Sequence, residues 1–585
     1  MGIFDWIHPA FILMLGSALI PFFQGRARQA YIILLPALAL LNVATMDYGT
    51  YGEFNFLGFD VTFGRVDGLS YGFAFIFAVV ALVSGIYGAN HKDAGHHIAA
   101  YVYAGGAIGL AFAGDYLTLF LFAEFMALAS MCLILYNKTA ESTRAAYRYI
   151  LVHIFSGICI LAGAMLVYSQ TGSFAFDSVT GGGIAAALLL VGFLTNAAVP
   201  PLGSWLPDAY PRATIPGAVF MSAFTTKSAV YTLARGFAGT EILIVLGTVM
   251  ALYGVVYAVL ENDIRKLLAY HIISQVGYMV AAVGIGTELA INGAAAHAFA
   301  HMLYKGLLFM GAGSVLYMTG RSRLTDLGGL YKVMPWTFIL YMVGGFAISS
   351  VPLFSGFVSK AIILSAAGES HMTFIWLFLT LTSAGTFLSV GLKLPYLAFM
   401  GKDAGLEAKD PPLNMLAGMG IAAFLCVFFG LFPQFLYNLL PYAIEYHPYT
   451  ADHVVWTSQI LLFTALGYML YIKKLGGKRV ISLDTDWFYR KGGVMFMKLA
   501  YGLFAAVDEL VSNLYRHMLA GVKKVAGWCW GFDFKWVDGV VNGVAGLVIY
   551  VSGDLRRIQT GKLQHYAVTI LLGLLFFINL LLFFS

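Results

Sequence analysis

Apolar runs of about 20 residues recur from one end of this chain to the other. A run of that length is what an α-helix needs to cross a hydrocarbon core roughly 30 Å thick. Only 11% of the 585 residues are charged, against roughly 25% in a soluble domain. These facts exclude a soluble multidomain enzyme and a disordered or fibrous chain. Continuous apolar runs also exclude an outer-membrane barrel, whose strands alternate. The expected fold class is an all-α polytopic membrane protein, because a helix satisfies its own backbone in lipid.

Polar punctuation divides the runs into about 16 transmembrane helices, near 4–23, 30–46, 69–89, 98–113, 116–136, 147–169, 183–205, 214–235, 242–261, 265–286, 292–318, 335–367, 374–399, 413–440, 454–472 and 565–584. Two are broken. The seventh carries Pro200 and Pro201 ahead of WLPDAYP, and the twelfth is interrupted by VPLFSG, with Pro352 and Gly356. Such residues unwind a helix and free backbone groups that only protein or water can satisfy. Spans 4–8 and 9–13 each place a broken helix fourth and follow it with a span bearing a buried lysine, Lys227 or Lys393. Five spans per unit is an odd number, so the expected arrangement is two inverted five-helix repeats. The divisions read as 1–97, 98–264, 265–400, 401–485, an amphipathic lateral segment 486–564, and a last span 565–585.

Lys and Arg collect in alternate loops, such as 137–148 and 319–333, whereas the opposite loops hold Arg65 and little else. That bias puts the first set in the cytoplasm, both termini outside, and 473–564 with Lys473, Lys474, Lys478 and Arg479 inside. The localisation expected is the inner (plasma) membrane. The first run lacks a basic flank and a small-residue cleavage site, so it reads as a span and not a removable signal. The segment 486–560 mixes Trp, Phe and Leu with Lys, Arg and Asp at helical spacing. It reads as a helix lying in the interface or along neighbouring helices, or else as a solvated connector.

No cofactor or metal is expected. The cysteines Cys132, Cys159, Cys426 and Cys529 are scattered, without zinc or iron–sulfur spacing. No Walker A loop is present, and a net charge of +5 gives no case for nucleic acid. The NHKDAGHH stretch, with His91, His96 and His97, could hold a metal, but the favoured reading is a solvated loop. The chain therefore reads as non-redox, at most a part of a translocase or oxidoreductase complex.

A charge at the bilayer centre costs about 2.5–3.5 kcal/mol on insertion scales, so each one needs a reason. Glu124 in span 5, Lys227 in span 8, Lys360 after the second break and Lys393 in span 13 are such residues. Span 11 reads AAAHAFAHMLYKGLLF, which sets His297, His301 and Lys305 at i, i+4 and i+8 on one face. This ladder covers roughly 12 Å of the membrane. Imidazole and desolvated lysine exchange protons near neutral pH, so the stripe reads as a relay. The alternatives are a hydrogen-bonded packing role for His153, haem or metal ligation by the histidine pair, and a cytoplasmic anchor role for Arg265 and Lys266.

The stretches GDYLTLFLFAEFMALAS, WLPDAY, ENDIRKLLAYHIISQVGYM, HAFAHMLYKGLLFMGAGSV and VPLFSGFVSKAIIL resemble the antiporter-like membrane subunits shared by respiratory complex I and Mrp-type Na+/H+ antiporters, over about residues 65–400. The C-terminal RRIQTGKLQHYAVTILLGLLFF is similar to the distal complex I subunit, which carries a lateral helix and a last span. The resemblance implies proton-translocating roles. Glu124 matches the span-5 glutamate that acts as the proton-loading partner of a lysine, and Lys227 matches a lysine found after the first broken helix in some members. His297, His301 and Lys305 match the central hydrophilic axis, and Lys360 matches the terminal ionisable residue. Arg265 and Lys266 stand at the lysine and arginine of a DIKR motif. Asn196 departs from the pattern, because the family usually has a lysine there that pairs with the glutamate.

The function expected is translocation of protons, or exchange of protons for Na+, by a membrane subunit of a multisubunit complex. Its partners would be other membrane subunits of an Mrp-like or complex I-like assembly and the lipid bilayer. Two alternatives stand beside it: a structural scaffold whose conduction Asn196 impairs, and a stand-alone solute transporter.

Overall fold

The computed structural model describes residues 6–179, 182–472, 474 and 484–584. The first residues of the expected first span, and Lys473, Lys478 and Arg479, lie outside the described residues. The chain divides into two units, Met1–Trp487 and Phe488–Ser585.

In the first unit helices begin where a side chain can satisfy amides that have no partner within the helix. Asp115 accepts from the N–H of Thr118, Asp263 from those of Arg265 and Lys266, and Thr287 from that of Ala290. Every expected apolar run holds helix. Among the described residues of the whole chain, 11 helices are long and apolar enough to cross a membrane, and Ile184–Asn196 and Pro335–Ile348 are shorter apolar helices.

The helix Glu288–Thr319 is the hub of the first unit. It packs against Gly68–Gly88, Ile215–Ala223, Ile264–Ile285, Pro335–Ile348, Ser355–Glu369 and Leu413–Leu431, so its sides are enclosed by protein. Ile242–Leu260 and Ile264–Ile285 meet backbone to backbone through glycines. A Cβ on Gly247 would fall 2.3 Å from Ala281 N, and one on Gly254 would fall 2.5 Å from Ser274 N. Small residues permit this approach where lipid offers no hydrophobic drive.

The all-α expectation needs one correction. Residues Gly49–Phe56 and Phe59–Val66 form an antiparallel hairpin, β1 and β2, with Phe56 opposite Phe59. Alternating aromatic and β-branched residues favour strands, and Leu57 and Gly58 both take positive φ in the two-residue turn. The hairpin is tied down where Asp115 accepts from the N–H of Thr62 at 2.8 Å.

Helices stop and restart at three places that matter for the site. Ile184–Asn196 ends before a turn that leads to Trp205–Ala209. Pro335–Ile348 ends before Ser355–Glu369, with Ser350 and Leu353 at positive φ between them. The third interruption has no proline or glycine to announce it: Ile215–Ala223 and Thr225–Gly236 are separated by Phe224 alone. The run expected at 413–440 also ends early, since Leu413–Leu431 stops ahead of Pro433.

In the second unit, helix Asp486–Phe532 continues through a π-turn, Asp533–Val537, into Asp538–Ile558. This helical rod is about 110 Å long at 1.5 Å per residue. Leu510, Leu514 and Met518 recur along it at helical spacing and are exposed within the unit. A separate apolar helix, Leu563–Phe584, follows.

Candidate functional site

The interruptions leave carbonyl groups without a helical amide, and buried lysines take them. Lys227, just past the break at Phe224, donates to Ser222 O at 2.5 Å and to Thr226 Oγ1 at 3.2 Å. Lys360 donates to Ile348 O, the last carbonyl of Pro335–Ile348, at 2.9 Å, and lies 5.2 Å from the centre of the Tyr278 ring. Lys393 sits in a π-helical stretch, Phe387–Lys393, and donates to Val259 O at 2.6 Å and Glu261 O at 3.0 Å where Ile242–Leu260 ends. All three are buried. Helix C-termini carry partial negative charge as well as orphan acceptors, so they can hold a cation with no carboxylate beside it.

Lys305 is different. It is fully buried near the middle of the hub helix, and its Nζ has no hydrogen-bond partner among the described residues. Neither ring nitrogen of His301, one turn earlier, has a partner among the described residues either. The next turn is connected: His297 Nδ1 lies 3.1 Å from Ser359 Oγ, and its Nε2 lies 3.2 Å from Gln275 Oε1. The His297 and His301 rings are 6.3 Å apart between centres, and the Tyr304 ring is 5.2 Å from that of His301. Ser359 precedes Lys360, so the hydrogen-bonded part of the line runs from the hub helix to the helix that follows the second interruption.

Two cavities flank this line. One, with about 30 Å³ of space, is bordered by His153, Asn196, Thr225 and Ser228 next to the Lys227 turn. The other, also about 30 Å³, is bordered by Lys360, Ser349, Ser383 and His453. Each is large and polar enough for a water molecule.

The remaining residues singled out in the sequence fall outside this line. Arg265 is buried and donates to the carbonyls of Tyr210, Ala213 and Thr214 at 3.3, 3.0 and 3.2 Å, so it clamps the turn that follows Trp205–Ala209. Lys266 pairs with Glu261 at 2.9 Å. Glu124 is only partly buried and has no ion pair among the described residues; its Oε1 lies so close to Gly157 that a Cβ there would be 2.1 Å away. Asn196 makes no bond to Glu124 and instead places Oδ1 3.0 Å from His153 Nδ1. Pro200 and Pro201 lie in the first interruption, and Pro352 lies in the second. Gly356 opens the next helix and packs so tightly that a Cβ would sit 1.8 Å from Ala347 O.

Sequence reasoning missed several polar members. His271 Nε2 lies 2.6 Å from Ser389 Oγ, and Gln275 Nε2 donates to Thr386 at 3.4 Å as well as meeting His297. Their i, i+4 spacing on one span was the available signal.

Residues 113–386 match the membrane segment of the NADH:quinone oxidoreductase/Mrp antiporter family. A Na+/H+ antiporter subunit of Alkalihalophilus pseudofirmus is 35% identical over 284 residues, covering 45% of this chain and 57% of the relative. The chain spans a little over half the length of the first curated relatives it matches. The structure superposes on a chain of the Mrp complex from Dietzia sp. DQ12-45-1b with a TM-score of 0.72 at 22% identity, over 88% of this chain and 62% of that one. It superposes on a chain of the membrane-bound sulfane sulfur reductase, an archaeal respiratory membrane complex, with a TM-score of 0.69 at 25% identity, over 98% and 99%. The match to the NADH:quinone oxidoreductase/Mrp antiporter family thus lies over residues 113–386, a little under half of this chain.

Proposed function

We propose that the chain is the ion-conducting membrane subunit of a multisubunit Mrp-like or complex I-like assembly, moving protons or exchanging them for Na+. The observation that carries this reading is the contrast among buried cations. Lys227, Lys360 and Lys393 are each tethered to helix-end carbonyls, whereas Lys305 and His301 have no hydrogen-bond partners among the described residues. A tethered cation is held on its carbonyl until its proton passes to the next group. An untethered one is free to exchange its proton with water or with the next group.

The route runs from the cavity beside Lys227, through His301 and Lys305, to His297 and then Lys360, with Lys393 at its far end. Glu124 loads it from the partly buried side. In this reading the chain has sixteen spans, with two inverted five-helix repeats whose interrupted helices flank the route. Both termini lie outside an inner membrane, and the rod 486–558 runs along neighbouring subunits. Redox chemistry in partner subunits or an opposing ion gradient supplies the driving force.

A scaffold role is the second reading, favoured by the Asn196–His153 bond in place of a lysine beside Glu124. The test is ion flux by the intact complex in sealed vesicles. Lys305→Ala and Lys360→Ala should each abolish flux with assembly preserved; undiminished flux in both variants refutes the route.

A further inference from the structure

The NHKDAGHH stretch is not a solvated loop. His96 and His97 are buried in the first turn of Ala94–Phe112, and His91 folds back over them, half-buried. The rings of His91 and His96 stack at 4.2 Å between centres, and His97 meets the two edge-on at 5.9 and 5.5 Å. One ring nitrogen from each histidine lies within 4.8 Å of the other two.

The hydrogen bonds around the cluster hold one ring nitrogen of His96 and one of His97. His97 Nε2 lies 2.9 Å from the carbonyl of His91, which can only accept, so Nε2 carries the proton and a neutral ring has its lone pair on Nδ1. His96 Nε2 lies 2.8 Å from Thr214 Oγ1. Among the described residues His96 Nδ1 and His91 Nδ1 have no hydrogen-bond partner of good geometry, and the Asp93 backbone lies beside the His91 ring. His96 and His97 are thus each anchored through one nitrogen, the usual arrangement of a metal-ligating histidine.

We propose that His91, His96 and His97 form a binding site for a borderline divalent transition metal of the Zn2+ class. Three neutral imidazoles suit zinc, and a fourth position is left for water or for Asp93. Metal–nitrogen bonds of 2.0–2.1 Å require ring nitrogens about 3.3 Å apart, so the cluster contracts on binding. His91, on the loop ahead of the helix, is the member free to move. A cavity of about 420 Å³ bordered by His91, Asp93 and Thr214 gives the ion a way in. Asp93 supplies negative charge at the rim, where it pairs with Lys138 at 3.0 Å; Lys138 and Arg28 oppose it.

The site has a mechanical consequence. Thr214 Oγ1 accepts from the N–H of Gly217 at the start of Ile215–Ala223, the helix that breaks ahead of Lys227, and Thr214 O is also held by Arg265. A bound ion therefore braces the loop before Ala94–Phe112 and the first turn of that helix against the segment that leads to Lys227. The site stands apart from the ion route, so its test does not depend on flux.

The purified full-length chain in its membrane complex is stripped with chelator and titrated with ZnCl2 against a zinc-sensitive dye. The expected result is a site of micromolar or tighter affinity, weakened at least 10-fold by His91→Ala and by His96→Gln. Glutamine can still donate to Thr214, and His91 lies on a half-buried loop, so neither variant depends on a disrupted fold. Absence of such a site in the wild type, or wild-type affinity in either variant, overturns the proposal.

Discussion

Replacing Lys305 with methionine should stabilise the protein relative to the same replacement at Lys360. Both ammonium groups are at most 1% exposed, so removing either one relieves a similar burial cost, about 2.5–3.5 kcal/mol on membrane insertion scales. The difference lies in what each leaves behind. Lys360→Met orphans the Ile348 carbonyl, now bonded at 2.9 Å, and gives up the Ser383 contact at 3.5 Å. A buried acceptor without a partner costs about 1–3 kcal/mol. Lys305→Met orphans nothing, because Lys305 Nζ makes no hydrogen bond among the described residues. With the relief common to both, Lys305→Met should be the more stable variant by about 1–3 kcal/mol. For a chain of this length that is about 1–2 °C in apparent melting temperature. Paired thermal scans of the purified complexes, at one detergent and protein concentration, read the difference directly. If Lys305→Met melts at or below Lys360→Met, Lys305 has a partner and the contrast on which the route rests is wrong.

Other perturbations separate packing from transport. Gly254→Ala should lower stability by about 1–3 kcal/mol, seen as a lower melting temperature, since its Cβ would meet the Ser274 and Tyr270 backbones at 2.5 and 2.6 Å. Gly157→Ala would press on the flexible Glu124 carboxylate and make only ordinary contact with the Phe120 ring at 3.5 Å, so it should leave the melting temperature nearly unchanged while altering ion flux; unchanged flux would remove Glu124 from the route. Asp67 caps Gly68–Gly88 and pairs with Arg235 at 2.7 Å. Burial alone would raise its carboxyl, but the hydrogen bond and charge of Arg235 hold it below the usual range. Its contribution is thus present above about pH 3.9 and is lost as pH falls through the lowered value. Asp67→Asn keeps the cap, so its melting deficit at pH 7 should vanish in acid; a deficit constant with pH would show that the charge is irrelevant.

The helical class and the positions of the buried cations were legible in the sequence, because apolar run length and rare charges are strong signals in lipid. What holds those cations was not. The acceptors of Lys227, Lys360 and Lys393 are backbone carbonyls, and every residue has one, so only the positions of helix ends single them out. The break at Phe224 carries no proline or glycine, so nothing local announced that Ser222 O would be free. The hairpin 49–66 alternates as a strand should, but a search for long apolar runs passes over it. The pairing of His153 with Asn196 spans 43 residues and follows from helix packing alone.

The most direct test of the central claim separates charge from proton exchange at Lys305. Arginine keeps the positive charge but does not release its proton in a protein, whereas histidine does. In vesicles carrying the intact complex, ion flux should be lost in Lys305→Arg and partly retained in Lys305→His. Wild-type flux in Lys305→Arg would contradict the account, because a permanently charged side chain would then suffice at the centre of the membrane.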